Sequence, residues 1–185
     1  AGGVVGGLFA ALFAPLLFDW VYEHPLLVLA AAALLPLPAL FPWNRWLGLE
    51  GRAVRIGVLA LLLVAALACW QMVSHWTGEL DGWTTAMGAL IIIAGLLLIG
   101  GRWPYVATVA MLMVAVGGVD TIQESFTGMR TRSYFGVYTV TDDLARQQRR
   151  LAHGTTLHGL QRLDPDHALD PTTYYGHQSG VGLVL

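Results

Sequence analysis

Lysine is absent from this chain of 185 residues, cysteine occurs once, and charged residues make up only 12% of the total. Each scarcity excludes something. Without lysine every fixed positive charge is a guanidinium; no basic run exceeds Arg149-Arg150 and the net charge is −2, which argues against nucleic acid as a partner. The lone Cys69 lies inside an apolar run, so it makes no internal disulfide and reads as a small packing residue. No Cys pair and no His-Glu-x-x-His spacing is present, so no metal is expected. A soluble domain carries about 25% charged residues, and the shortfall here points to a different solvent.

The shortfall is local. Residues 1–118 hold five acids (Asp19, Glu23, Glu50, Glu79, Asp81) and four arginines (Arg45, Arg52, Arg55, Arg102), whereas 119–185 hold seven acids and six arginines. Crossing the hydrocarbon core takes about 20 apolar residues, with a range of roughly 17–25. Five uncharged runs approach or meet this, at 1–18, 25–44, 56–74, 82–101 and 103–119. The expected fold is therefore a polytopic α-helical membrane protein of about five transmembrane helices in 1–119, followed by a small β-rich domain. Pro15, Pro36 and Pro38 lie in or near these runs, as membrane helices tolerate. All seven tryptophans fall between 20 and 103 and most flank the runs, the pattern of an interfacial belt. Gly2-Gly3-x-x-Gly6-Gly7 has the spacing of a close helix contact. No run centres on an acid or a histidine, as coupled transport would need.

The chain has no basic leader, opens in a glycine-rich apolar stretch and closes on Gly-Val-Gly-Leu-Val-Leu, so both ends read as interior to a longer protein. Between the runs, the loop at 45–55 carries three arginines and the turns at 19–24 and 75–81 are acidic. The positive-inside rule then places 45–55 and Arg102 in the cytoplasm and 120–185 outside.

Residues 120–131 look like a polar connector. Arg132–Thr141 has strand character, Asp142-Asp143 opens a turn, and Arg149–His153 leads through Gly154 into a further strand over Thr155–Gln161. Asp164-Pro165-Asp166 and Asp170-Pro171 mark loops, Thr172–Gly176 is a short aromatic segment, and Ser179–Leu185 looks like the start of a helix. A β-rich piece this small buries little surface and calls for a partner. On an alternating strand His153 and His158, five apart, would face opposite ways. Arg146, Arg149 and Arg150 read as a solvated face, and Ser179 has no base or acid at a useful spacing.

His153-Gly154-Thr155-Thr156-Leu157-His158-Gly159-Leu160-Gln161, with Arg132-Ser133-Tyr134-Phe135-Gly136-Val137 before it and Pro171-Thr172-Thr173-Tyr174-Tyr175-Gly176 and Ser179-Gly180-Val181-Gly182 after it, resembles the membrane-fused (major-facilitator-like) spermidine synthase-like proteins of the aminopropyltransferase family. The opening glycines and Ala14-Pro15-Leu16-Leu17-Phe18-Asp19 resemble that family's membrane region. The resemblance implies that 132–185 is the β-rich N-terminal subdomain of a synthase-like domain. A Rossmann-like, adenosyl-binding domain would carry the catalytic acid beyond residue 185. It implies decarboxylated S-adenosylmethionine (or S-adenosylmethionine) as co-substrate, no cofactor held by these residues alone, and a polyamine or related amine as acceptor. His158 or Gln161 would hydrogen-bond the nucleotide's amino-acid tail, and Tyr174 and Tyr175 would hold an ammonium on their rings. Gly176 and His177 stand where the family has His and Glu, a departure that counts against carrying the family's polyamine specificity over to this chain. The partners implied are the bilayer of a cell (inner) membrane, the missing domain and, as a further option, a second copy. An adenosyl donor is cytoplasmic, and on substrate grounds the soluble piece is expected there, against the loop charges. A non-catalytic transport or assembly module and a methyltransferase-like protein are the alternatives.

Overall fold

A computed structural model describes residues 2–34, 38–180 and 182–184. The chain divides into two compact units, Ala1–Glu23 together with Gln123–Leu185, and His24–Ile122. The first 23 residues thus belong with the sheet rather than with the central helices.

Among the described residues five apolar helices form, but they are not five spans. We label them α1 (Gly2–Leu17), α2 (Glu23–Leu34), α3 (Arg52–Ser74), α4 (Gly82–Leu98) and α5 (Arg102–Ser125). Only α3, with 23 residues, and α5, with 24, are long and apolar enough to cross a bilayer among the described residues. The expected runs at 1–18 and 82–101 fall short, and the run at 25–44 is helical to Leu34 with residues 35–37 lying outside the described residues, so the five-span reading is corrected to two candidate spans among the described residues. The cause is where helical hydrogen bonding stops. Phe18 turns to an extended conformation after Leu17, and α4 has 17 residues. At about 1.5 Å per residue, α4 is roughly 26 Å long against a core of about 30 Å. Pro36 lies outside the described residues.

In the His24–Ile122 unit α3, α4 and α5 pack side by side, and what they bury is small. Ala65, Ala68, Thr84, Gly88, Ala94, Gly95, Thr108 and Ala115 are buried, joined by Met72, Ile91 and Leu98. The large apolar side chains point outward: Leu59, Leu63 and Leu67 of α3 are each more than half exposed. Gly88 lies against Met72 and Gly95 against Thr108. Among the described residues Gly2, Gly3, Gly6 and Gly7 meet nothing, and close helix contact occurs at α4 rather than at the N-terminal glycine motif. Asp81 and Thr84 form a reciprocal capping box that starts α4. Helix α5 is interrupted at Val116 and Gly117; Gly117 takes φ +76 beside Trp76, a backbone conformation in which a side chain would be strained.

In the other unit α1 carries a π-helical turn over Phe9–Phe13, just before Pro15. Proline crowds the carbonyl four residues earlier, and the wider turn relieves this. The sheet is a four-stranded antiparallel meander, β1 (Arg130–Ser133), β2 (Gly136–Asp143), β3 (Gln148–His153) and β4 (Thr156–Arg162), in chain order. The single strand expected over 132–141 is two strands, because a two-residue turn at Tyr134-Phe135 pairs Ser133 with Gly136. The expected connector at 120–131 is instead the end of α5 and the start of β1. Ser179–Leu185 forms turns rather than a helix over its described residues. Among the described residues of this unit only Ala14, Glu23 and Arg130 are buried. Its interior is made of charge, not of hydrocarbon.

Candidate functional site

Strand periodicity puts residues i and i+2 on one face, so Arg130 and Arg132 of β1 point the same way. They meet the turn after α1. Arg130 donates from Nε to Asp19 (2.9 Å), from one terminal nitrogen to Glu124 (2.8 Å), and from the other to the Ser125 hydroxyl (2.6 Å) and the Tyr22 hydroxyl (3.4 Å). Its guanidinium carbon lies 5.9 Å from the centre of the Trp20 ring. Arg132 grips both oxygens of Glu23 and also donates to the Trp20 carbonyl at 2.7 Å. Arg132 and Glu23 are 8% and 3% exposed, a pair removed from water. Burial works against the charge of Asp19, but the hydrogen bonds from Arg130 and Ser125 outweigh it and hold the carboxyl below the usual carboxylate range. Sequence reasoning missed this cluster, taking Asp19 and Glu23 as markers of membrane side and Arg130 as connector. The signal was present: two arginines two apart on a strand, and two acids four apart beside a helix end.

The four residues singled out for substrate binding lie at the far edge of the sheet. His158 and Gln161 are both on β4 and exposed. Tyr174 and Tyr175 occupy a 3₁₀ turn, Thr173–Tyr175, held against β4 by the Thr172 hydroxyl, which donates to the Leu160 carbonyl. The two rings are 64% and 52% exposed, open to a ligand. Gln161 donates to the Ala168 carbonyl at 3.3 Å, which ties the 164–170 loop to the same edge. No hydrogen bond joins any two of the four.

His153 and His158 do not face apart. The hairpin turn at Gly154 folds one strand onto the next, and a bulge between Leu151 and Ala152 shifts the register, so their rings stand 5.5 Å apart. His153 also stacks on Tyr138, with ring centres at 4.4 Å and planes 8° apart. Among the described residues no group of three or more His, Cys, Asp or Glu side chains is placed to hold a metal ion.

The carboxylates around β2 and β3 are engaged. Asp142 accepts two bonds from Arg149, at 2.7 and 2.8 Å, and lies below the usual carboxylate range because of them. Asp143 pairs with Arg146 at 3.1 Å.

No protein-family model matches the chain, and neither a curated protein nor a solved structure does. The family resemblance rests on its short motifs alone.

Proposed function

We propose that this chain seats a small β-sheet on a lipid bilayer, and that the β4 edge of the sheet forms the amine-side wall of an aminopropyltransferase-like site. Its adenosyl-binding half would come from residues other than these. The membrane seat is supported by the burial pattern. Lipid offers no hydrophobic gain for hiding large side chains, so membrane helices meet through small residues and turn leucine outward. The windows that qualify α3 and α5 as spans are 17% and 11% buried, the reverse of a soluble core helix.

The observation that carries the catalytic part is the β4 edge itself: His158 and Gln161 on the strand, and Tyr174-Tyr175 docked beside it, all open to solvent. In aminopropyl transfer an amine nitrogen bonds to the carbon next to a sulfonium. The C–S bond breaks with its electron pair going to sulfur, and the new ammonium loses a proton. The protein must align the amine and hold its remaining charge. Tyrosine faces can do the second, at about 0.5–2 kcal/mol per contact.

Two measurements test this. Protein in nanodiscs should bind putrescine saturably, and the double change Tyr174→Ala with Tyr175→Ala should weaken binding by roughly tenfold, the equivalent of two modest cation–π contacts. Absence of binding removes the reading. Together with an adenosyl-binding domain, the chain given putrescine and decarboxylated S-adenosylmethionine should release methylthioadenosine, while the 185 residues alone should release none. Turnover of S-adenosylmethionine instead would move the reading to methyl transfer.

A further inference from the structure

The β1–β2 turn is an unusual place for an aromatic pair. Phe135 is 86% exposed and Tyr134 is 60% exposed, at the tip of a two-residue turn with no charged side chain. A phenyl ring held in water at a tight turn gains nothing by being there, and the position ordinarily goes to Asn, Asp or Gly.

Three observations point to what surrounds it. The first is continuity. An open groove of about 520 Å³ runs between the turn and α1, lined by Ala10, Ala11, Pro15, Trp20, Phe135 and His153 among others. Helix α1 holds no charged residue, and Leu12, Phe13, Leu16 and Leu17 on it are 48–71% exposed. Whatever medium bathes α1 reaches the turn. The second is backbone satisfaction. The Phe135 N–H donates to the Ser133 hydroxyl at 3.2 Å, and His153 donates from Nε2 to the Phe135 carbonyl at 3.0 Å, in the tautomer that carries that proton. A turn in water leaves these groups to the solvent; in hydrocarbon each must find an internal partner. The third is charge. Arg132, the nearest fixed charge on the strand, is locked by both nitrogens onto Glu23, so the base of the turn carries no uncompensated ion.

We infer that the Tyr134-Phe135 turn is a membrane-contacting tip: together with Trp20 and the apolar side of α1 it enters the bilayer surface, Phe135 among acyl chains and the Tyr134 and Trp20 polar atoms at headgroup level. Helix α1, 16 residues and about 24 Å long, is too short to cross by itself and contributes a lipid-facing flank. The tip sits at one end of β2, and Leu144, 69% exposed, just past the other end, about 26 Å away along the strand. The sheet would therefore stand on the membrane by its β1–β2 end. The inference rests on the membrane seat proposed above.

The experiment uses the whole chain in a Cys69→Ser background, carrying an environment-sensitive fluorophore at one introduced cysteine, in nanodiscs containing doxyl-labelled phospholipid. Three sites are compared: Phe135→Cys at the tip, Leu144→Cys at the far turn, and Leu63→Cys on the exposed face of α3. The expected result is blue-shifted emission and doxyl quenching at 63 and 135, with iodide quenching at 144 only. If 63 is quenched by lipid while 135 is reached by iodide like 144, the tip does not touch lipid and the inference is overturned, though the membrane seat stands. If 63 too is open to iodide, both fall. Tyr134→Cys repeats the measurement should Phe135→Cys fail to fold, and the same outcomes apply.

Discussion

Arg132 holds Glu23 through two guanidinium nitrogens, at 2.8 and 2.7 Å, with 109 positions of chain between them. The two groups are nearly out of water, and the fork of Arg matches a carboxylate as a lysine could not. In a unit with so little buried hydrocarbon, this pair and its neighbour Arg130–Asp19 connect the turn after α1 to β1.

Breaking one side of the pair should be costly. Glu23→Gln leaves the Arg132 charge uncompensated, and such a change costs about 3–5 kcal/mol. The apparent melting temperature in detergent should fall sharply. The double change Glu23→Leu with Arg132→Met should recover much of the loss, because two apolar groups need no partner. Equal melting of both variants and the wild type would show that the pair does not hold the unit together.

Acid should loosen the same region. The folded-state pKa of Asp19 lies below its ordinary value. The stability it lends is therefore fully present above the unfolded carboxylate pKa of about 3.9, and is lost as pH falls through the lower folded value. Asp19→Asn should be less stable than wild type at neutral pH, and its stability should fall less steeply below about pH 4. Melting curves across pH 3–7 provide the check, and parallel curves would contradict the assignment.

Gly136 should tolerate no side chain. It adopts φ +140, and a Cβ there would run into the His153 imidazole. Gly136→Ala should disturb the stacking of His153 on Tyr138 and cost on the order of 1–3 kcal/mol. Gly154→Asn, at φ +57 with open space around it, should cost little. The two melting temperatures, with the histidine ring resonances, separate the cases.

The helix contact at Gly95 should be specific. A side chain there meets Thr108, whereas one at Gly3 meets nothing. Gly95→Leu should lower the melting temperature of the detergent-solubilised protein markedly, and Gly3→Leu should leave it unchanged.

Sidedness tests the adenosyl reading on its own. A cytoplasmic donor requires a cytoplasmic sheet, so a cysteine replacing Leu169, which is 95% exposed, should be labelled only from the cytoplasmic face in a Cys69→Ser background. Under the positive-inside rule Arg102, at the N-terminal end of α5, pulls the other way, whereas Arg52, at the start of α3 and two spans before the sheet, agrees with it. Labelling from the outer face would remove the adenosyl donor and leave the membrane seat untouched.

Local pattern alone determined the helical, lipid-suited composition of the central runs, the hairpin through Gly154 and the presence of a short Tyr-Tyr segment after it. Each depends on neighbours in sequence: uncharged length, a glycine at a positive φ, alternation of strand formers. Tertiary structure decided where the runs stop being helical, since hydropathy counts residues but does not see Phe18 turn extended. It also split one expected strand at Tyr134-Phe135 and brought His153 and His158 to the same face, because pairing register is a contact between strands. Above all it matched Asp19 and Glu23 with Arg130 and Arg132. Opposite charges more than a hundred residues apart leave no periodic trace; only folding the turn after α1 against β1 removes both from water and makes each the other's solvent.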